Sequence, residues 1–85
     1  MMTKERAYFE KVKKALVDKM NKGLDTDLEG EPILRLKNGI VLIIRPTIAR
    51  KSYIVEQSYG LTYKELAWDV PLDRVVEIII EKGGK

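Results

Sequence analysis

Ile33-Leu34-Arg35-Leu36-Lys37-Asn38-Gly39-Ile40-Val41-Leu42-Ile43-Ile44-Arg45 is the stretch whose reading decides the fold. Asn-Gly between two apolar runs is the strongest short-range hairpin signal, because a type I′ turn needs φ > 0 at both central residues and these two types tolerate it. A two-residue turn at Asn38-Gly39 pairs Lys37 with Ile40 and sets Leu36 opposite Val41 and Leu34 opposite Ile43. Ile40, Leu42 and Ile44 then lie on the other face, beside Arg35 and Lys37. The second strand is apolar on both sides, so it must be central in a two-layer structure or belong to a curled sheet covered twice.

Upstream, residues 23–32 form an acidic loop ending in Glu29-Gly30-Glu31-Pro32. Before it, Tyr8, Phe9, Val12, Ala15, Leu16 and Met20 fall in one sector at helical spacing, which predicts an amphipathic helix over 3–22. Thr3 supplies an N-cap, Glu5 complements the positive end of the helix dipole, and Gly23 provides the stop.

Downstream, Ser52 to Tyr59 alternates as a strand, and Tyr59-Gly60 turns the chain into a strand from Thr62 to Val70. There Leu66, Trp68 and Val70 alternate with Glu65, Ala67 and Asp69, which reads Trp68 as core. Residues 71–82 read two ways. Leu72, Val75, Val76 and Ile79 have helical spacing with Pro71 in the first turn, whereas five β-branched residues between 75 and 80, with Val76, Ile78 and Ile80 alternating with Glu77 and Glu81, favour a strand.

The strand reading gives an α+β domain over 1–85, with helix 3–22, acidic loop 23–32 and antiparallel sheet 33–82. An N-terminal helix packs on a strongly bent antiparallel sheet of about five strands. In order and length, the helix, the Leu36-Lys37-Asn38-Gly39 hairpin and the later strands resemble the Sm-like and other small SH3-like barrels, which implies a closed sheet. The resemblance carries no site, because Arg45-Pro46-Thr47 stands where that family's small-residue and aspartate pattern would follow the second strand, and no Arg-Gly-Asn-like turn precedes the last strand. The alternative is α-β-β-β-α with a C-terminal helix over 71–82. That order is shared by double-stranded-RNA-binding domains, whose basic cluster at the start of the second helix has no counterpart in Pro71-Leu72-Asp73-Arg74.

Eighty-five residues, 45% apolar and 34% charged, make room for one core. With no cysteine, disulfides, thiolate metal sites and redox thiols are excluded, and a cytoplasmic protein is expected. Charges punctuate the residues after the basic Met1 to Arg6 start, so no signal peptide is expected. The longest apolar run, 40–44, is far short of the roughly 20 residues that span a bilayer.

The net charge of +3 hides a segregation. Residues 1–22 carry seven bases and three acids, 23–31 four acids and no base, 32–58 five bases and one acid, and 59–85 four bases and five acids. Local potentials therefore exceed the net value, yet fall short of the basicity of a dedicated nucleic-acid-binding protein.

Chemistry is constrained by absence. Without histidine or cysteine the usual general base near neutral pH and the best nucleophile are missing, no Ser-x-x-Lys or phosphate-binding glycine loop is present, and the chain is expected not to be an enzyme. The loop from Asp25 to Gly30 imitates the first half of a calcium loop, but its twelfth position is Leu36, so no metal and no cofactor is expected.

What remains is binding. Arg45-Pro46-Thr47-Ile48-Ala49-Arg50-Lys51 concentrates charge in a turn, and the candidate contact residues are Arg35, Lys37, Arg45, Arg50, Lys51 and the nearby Tyr53. The expected function is a non-catalytic protein-binding module, such as a small accessory or inhibitor protein, of a size that also suits phages and mobile elements. A nucleic-acid-binding module using the basic loop 45–51 is the alternative. A homodimer through the 40–44 strand face is a further expectation, because an apolar sheet face without intramolecular cover must find a partner.

Overall fold

The structure, a computed structural model, describes residues 3–48 and 51–83. Two helices and five strands follow in the order α1 (Lys4–Lys22), β1 (Asp25–Thr26), β2 (Pro32–Arg35), β3 (Val41–Pro46), β4 (Tyr53–Ser58), β5 (Tyr63–Val70) and α2 (Leu72–Gly83). The chain is α+β, with one antiparallel sheet in the order β1-β2-β3-β4-β5.

α1 begins and ends as its sequence predicts. Thr3 is extended and its hydroxyl accepts the Arg6 N–H at 3.0 Å, while Gly23, at φ 91°, donates to the Met20 carbonyl at 3.2 Å. Such positive φ is a conformation that glycine adopts without a Cβ penalty.

The hairpin forms where expected but in a different register. Leu36 N–H donates to Ile40 O at 2.8 Å and Gly39 N–H to Leu36 O at 3.0 Å, enclosing a three-residue loop, Lys37-Asn38-Gly39. Only Gly39 has positive φ there, at 91°, so the turn is of type I followed by a bulged glycine. Asn38 stays out of the left-handed region because its side chain is engaged: Oδ1 accepts the Ile40 N–H at 3.1 Å and Nδ2 donates to Lys82 O at 2.9 Å. The extra loop residue shifts the pairing by one, to Ile33 with Ile43, Leu34 with Leu42 and Arg35 with Val41. Leu34, Leu42 and Ile44 thereby join one core with Leu16 of α1 and with Val75, Val76, Ile78 and Ile79 of α2, and Leu36 and Ile40 pack against it. Val41, Ile43 and Arg45 face the other way.

The sheet does not close into the barrel that the SH3-like resemblance implies. β1 and β5 are its two open edges, and residues 71–82, favoured above as the last strand, form α2, as the alternative reading has it. Pro71 accepts the first amide bonds of α2, from Arg74 N–H at 3.0 Å and Val75 N–H at 3.2 Å. The β-branched residues disfavour a helix by only a few tenths of a kcal/mol each. Burial of four of them, Val75, Val76, Ile78 and Ile79, outweighs that cost, at roughly 1.5–3 kcal/mol per side chain.

β5 departs from simple alternation at two register shifts against β4, one between Tyr53 and Val55 and one between Val55 and Glu56. Each inserts a residue into β5, so Leu66, Ala67 and Val70 all pack against the core. Trp68 is turned outward and is 65% exposed, which corrects its reading as core. Asp69, within the first of these shifts, has φ 58° and accepts a hydrogen bond from the Ser52 hydroxyl.

Among the described residues, no helix is long and apolar enough to cross a membrane.

Candidate functional site

The two helices lie on one face of the sheet but do not share it equally. α2 packs on β4 and β5, whereas α1 packs along α2 and makes no comparable approach to any strand. α1 is therefore held off the β2–β3 hairpin, and an open groove of about 700 Å³ runs between them, ended by Ile79 and Gly83 of α2.

The groove has an apolar floor. Val12, Ala15 and Leu16 of α1 face Leu34 and Leu36 across it, with Tyr8 at one end. Of the six residues forming the apolar sector of α1, only Leu16 is fully buried, and Tyr8 at 39% exposure and Ala15 remain open to solvent. The rim is cationic: Lys11 and Lys19 stand on α1, Arg35 and Lys37 at the hairpin lip, and no acid among the described residues lines the groove. Asp25 approaches Arg35 from outside, at 3.4 Å between exposed groups, an ion pair worth at most about 1 kcal/mol.

The opposite face of the sheet has another character. Arg45 lies between Glu31, 2.7 Å from its Nε, and Glu56, which its Nη2 contacts closely. The Nε contact is an ion pair without hydrogen-bond alignment. The loop 27–31 is ordered from within, because the Asp27 carboxylate accepts the N–H groups of Glu29 and Glu31, each at 2.9 Å. It lies near enough to Tyr63 of β5 that Glu29 raises the pKa of that hydroxyl above its ordinary value. Partial burial, Asp27 and Glu31 add to the rise, and Arg45 opposes it. Ile33 and Ile43 are buried on this face. With Leu42 and Ile44 buried on the helix side, β3 is covered on both faces within one chain, so the apolar face expected to mediate a homodimer through 40–44 is not open.

The candidate residues read from the sequence do not form one patch. Arg35 and Lys37 sit at the groove with Lys11 and Lys19. Arg45 is on the far face and held by two carboxylates. Lys51 is exposed ahead of β4, while Tyr53 is partly buried and packs against the core. Arg50 lies outside the described residues.

The sequence reading missed Lys11, Lys19, Tyr8 and Leu36 as members of one site. Their helical and strand spacings were visible, but no local signal shows that α1 rests on α2 and leaves the hairpin open.

No protein-family model matches the chain, and comparisons with curated proteins and with solved structures return no significant match.

Proposed function

We propose that the chain is a non-catalytic protein-binding module, a small accessory or inhibitor protein, and that the groove between α1 and the β2–β3 hairpin is its contact surface. The observation that carries this reading is the exposed apolar strip of α1, Tyr8 and Ala15, facing Leu36 beneath a rim of four cations. Apolar surface left open within a basic rim is the composition of a contact core with a polar margin. The lack of histidine and cysteine supports a role without catalysis, and the lack of cysteine suits a reducing compartment such as the cytoplasm. Nucleic-acid binding through 45–51 is the second reading. It draws on Lys51, but Arg45 is already neutralised by Glu31 and Glu56.

The test is photo-crosslinking in the cells that make the protein, with p-benzoylphenylalanine replacing Tyr8 in the groove or the exposed Trp68 of the edge strand β5, three strands away from β2. A discrete protein adduct from position 8 and none from position 68 is the expected result. Equal labelling from both positions, or affinity for a generic 20-nucleotide RNA or DNA that falls steeply with salt, would overturn it.

A further inference from the structure

We infer that the groove receives an amphipathic helix of a protein partner whose apolar stripe is flanked by aspartate or glutamate. This rests on the protein-binding reading and specifies its occupant.

Length is the first argument. The groove side of α1 extends from Tyr8 to Lys19, about 16 Å at 1.5 Å per residue, which matches three turns of a partner helix.

The second argument is the nature of the walls. One is the helix surface of α1, whose ridges accept another helix, and the other is the side-chain face of Leu34 and Leu36. An extended chain would need the outer edge of β2, where β1 takes Pro32 and Ile33 and leaves only the short stretch from Leu34 to Leu36 to pair with. Helix-in-groove docking, with anchors at i, i+3, i+4 and i+7, uses the surface that is left.

Charge is the third argument. Lys11 and Lys19 line one lip, Arg35 and Lys37 the other, and no acid among the lining residues offsets them. A basic helix meets like charge on both sides, whereas an acidic one meets its complement. The pairs at the exposed lips set orientation, association rate and choice of partner, while apolar burial on Ala15 and Leu36 supplies most of the affinity.

The probe is a fluorescein-labelled 15-residue peptide with leucine at i, i+3, i+4, i+7 and glutamate on both flanks. It is compared with the same peptide carrying lysine for glutamate and with a scrambled peptide of equal composition. Anisotropy with the full chain at 50 and 300 mM salt should show the glutamate peptide binding at least tenfold tighter than either control, and more weakly at high salt. Amide chemical shifts should move at Val12, Ala15 and Leu36. Ala15→Trp, a substitution at an exposed helix position, should reduce binding at least tenfold with an unchanged circular dichroism spectrum. Lys11→Glu with Lys37→Glu should invert the preference between glutamate and lysine peptides.

Equal binding of the glutamate and lysine peptides, equal binding of the scrambled peptide, or displacement of the probe by anionic phosphatidylglycerol vesicles as readily as by unlabelled peptide would overturn the inference. If the glutamate peptide fails while the position-8 crosslinker still captures a protein, the occupant is wrong and the binding reading stands. If both fail, the binding reading falls with it.

Discussion

Asn38, at the tip of the β2–β3 hairpin, donates its side-chain amide to the carbonyl oxygen of Lys82 in the last turn of α2 at 2.9 Å. The same side chain accepts the Ile40 N–H, so one residue fixes the turn and satisfies one of the four carbonyls that a helix C-terminus leaves without partners. It also ties the hairpin lip of the groove to its α2 end. Asn38→Ala removes both bonds and is expected to lower stability by about 1–2 kcal/mol in urea unfolding. Asn38→Asp keeps the acceptor for Ile40 but cannot donate to Lys82, and should fall between wild type and alanine.

Ile43 is 0% exposed although it faces away from both helices. The loop 27–31 reaches Arg45 and Tyr63 on that face, and with the side chain fully buried Ile43→Ala should cost about 2–5 kcal/mol, as much as Ile44→Ala in the main core. Ile48→Ala, at a fully exposed position, should stay within about 0.5 kcal/mol of wild type. An Ile43→Ala effect as small as that of Ile48→Ala would mean that the far face is open.

Tyr63 titrates above its ordinary value, chiefly because of Glu29. Selective ¹³C labelling of tyrosine should therefore show the Tyr63 ring ionising above its ordinary value, and Glu29→Gln should bring its midpoint back towards about 10. The sign for stability follows. Between the unfolded and folded pKa the native state holds more protons than the unfolded state, so the contribution is present below about pH 10 and is lost as pH rises through the folded value.

Gln57 is buried on the helix side of β4, and its Oε1 has no hydrogen-bond partner among the described residues. A buried acceptor without a donor carries an uncompensated desolvation cost, so Gln57→Met should leave stability unchanged or raise it by up to about 2 kcal/mol. A marked loss in thermal unfolding would mean that the amide is satisfied in solution.

The sequence revealed elements better than arrangement. Thr3 and Gly23 bound α1 because capping is local chemistry, and Asn38-Gly39 marked the hairpin for the same reason. The register of that hairpin was not readable, because Asn38 chooses its conformation partly through Lys82, 44 residues away. Residues 72–83 became a helix against the propensity of Val75, Val76, Ile78 and Ile79, since burial on the sheet outweighs a preference of tenths of a kcal/mol. Trp68 turned outward because two extra residues in β5 break a period of two that composition alone cannot reveal. Of the candidate contact residues, Arg35 and Lys37 reached the groove by spacing. Arg45 was drawn away by Glu31 and Glu56, partners that no linear motif connects to it.

α1 finds its packing partner in α2, and the two are separated by the whole sheet in chain order. During synthesis, α1 emerges ahead of the sheet and waits while the roughly fifty residues that separate it from α2 follow, roughly 3 to 10 s at about 5–20 residues per second. The strands can pair with one another as they appear, since each neighbours the next in sequence. For that interval the stripe carrying Phe9, Val12 and Leu16 can meet Leu34 and Leu42 of the growing sheet but lacks the helix it lies along in the folded chain, so the core closes only when α2 arrives.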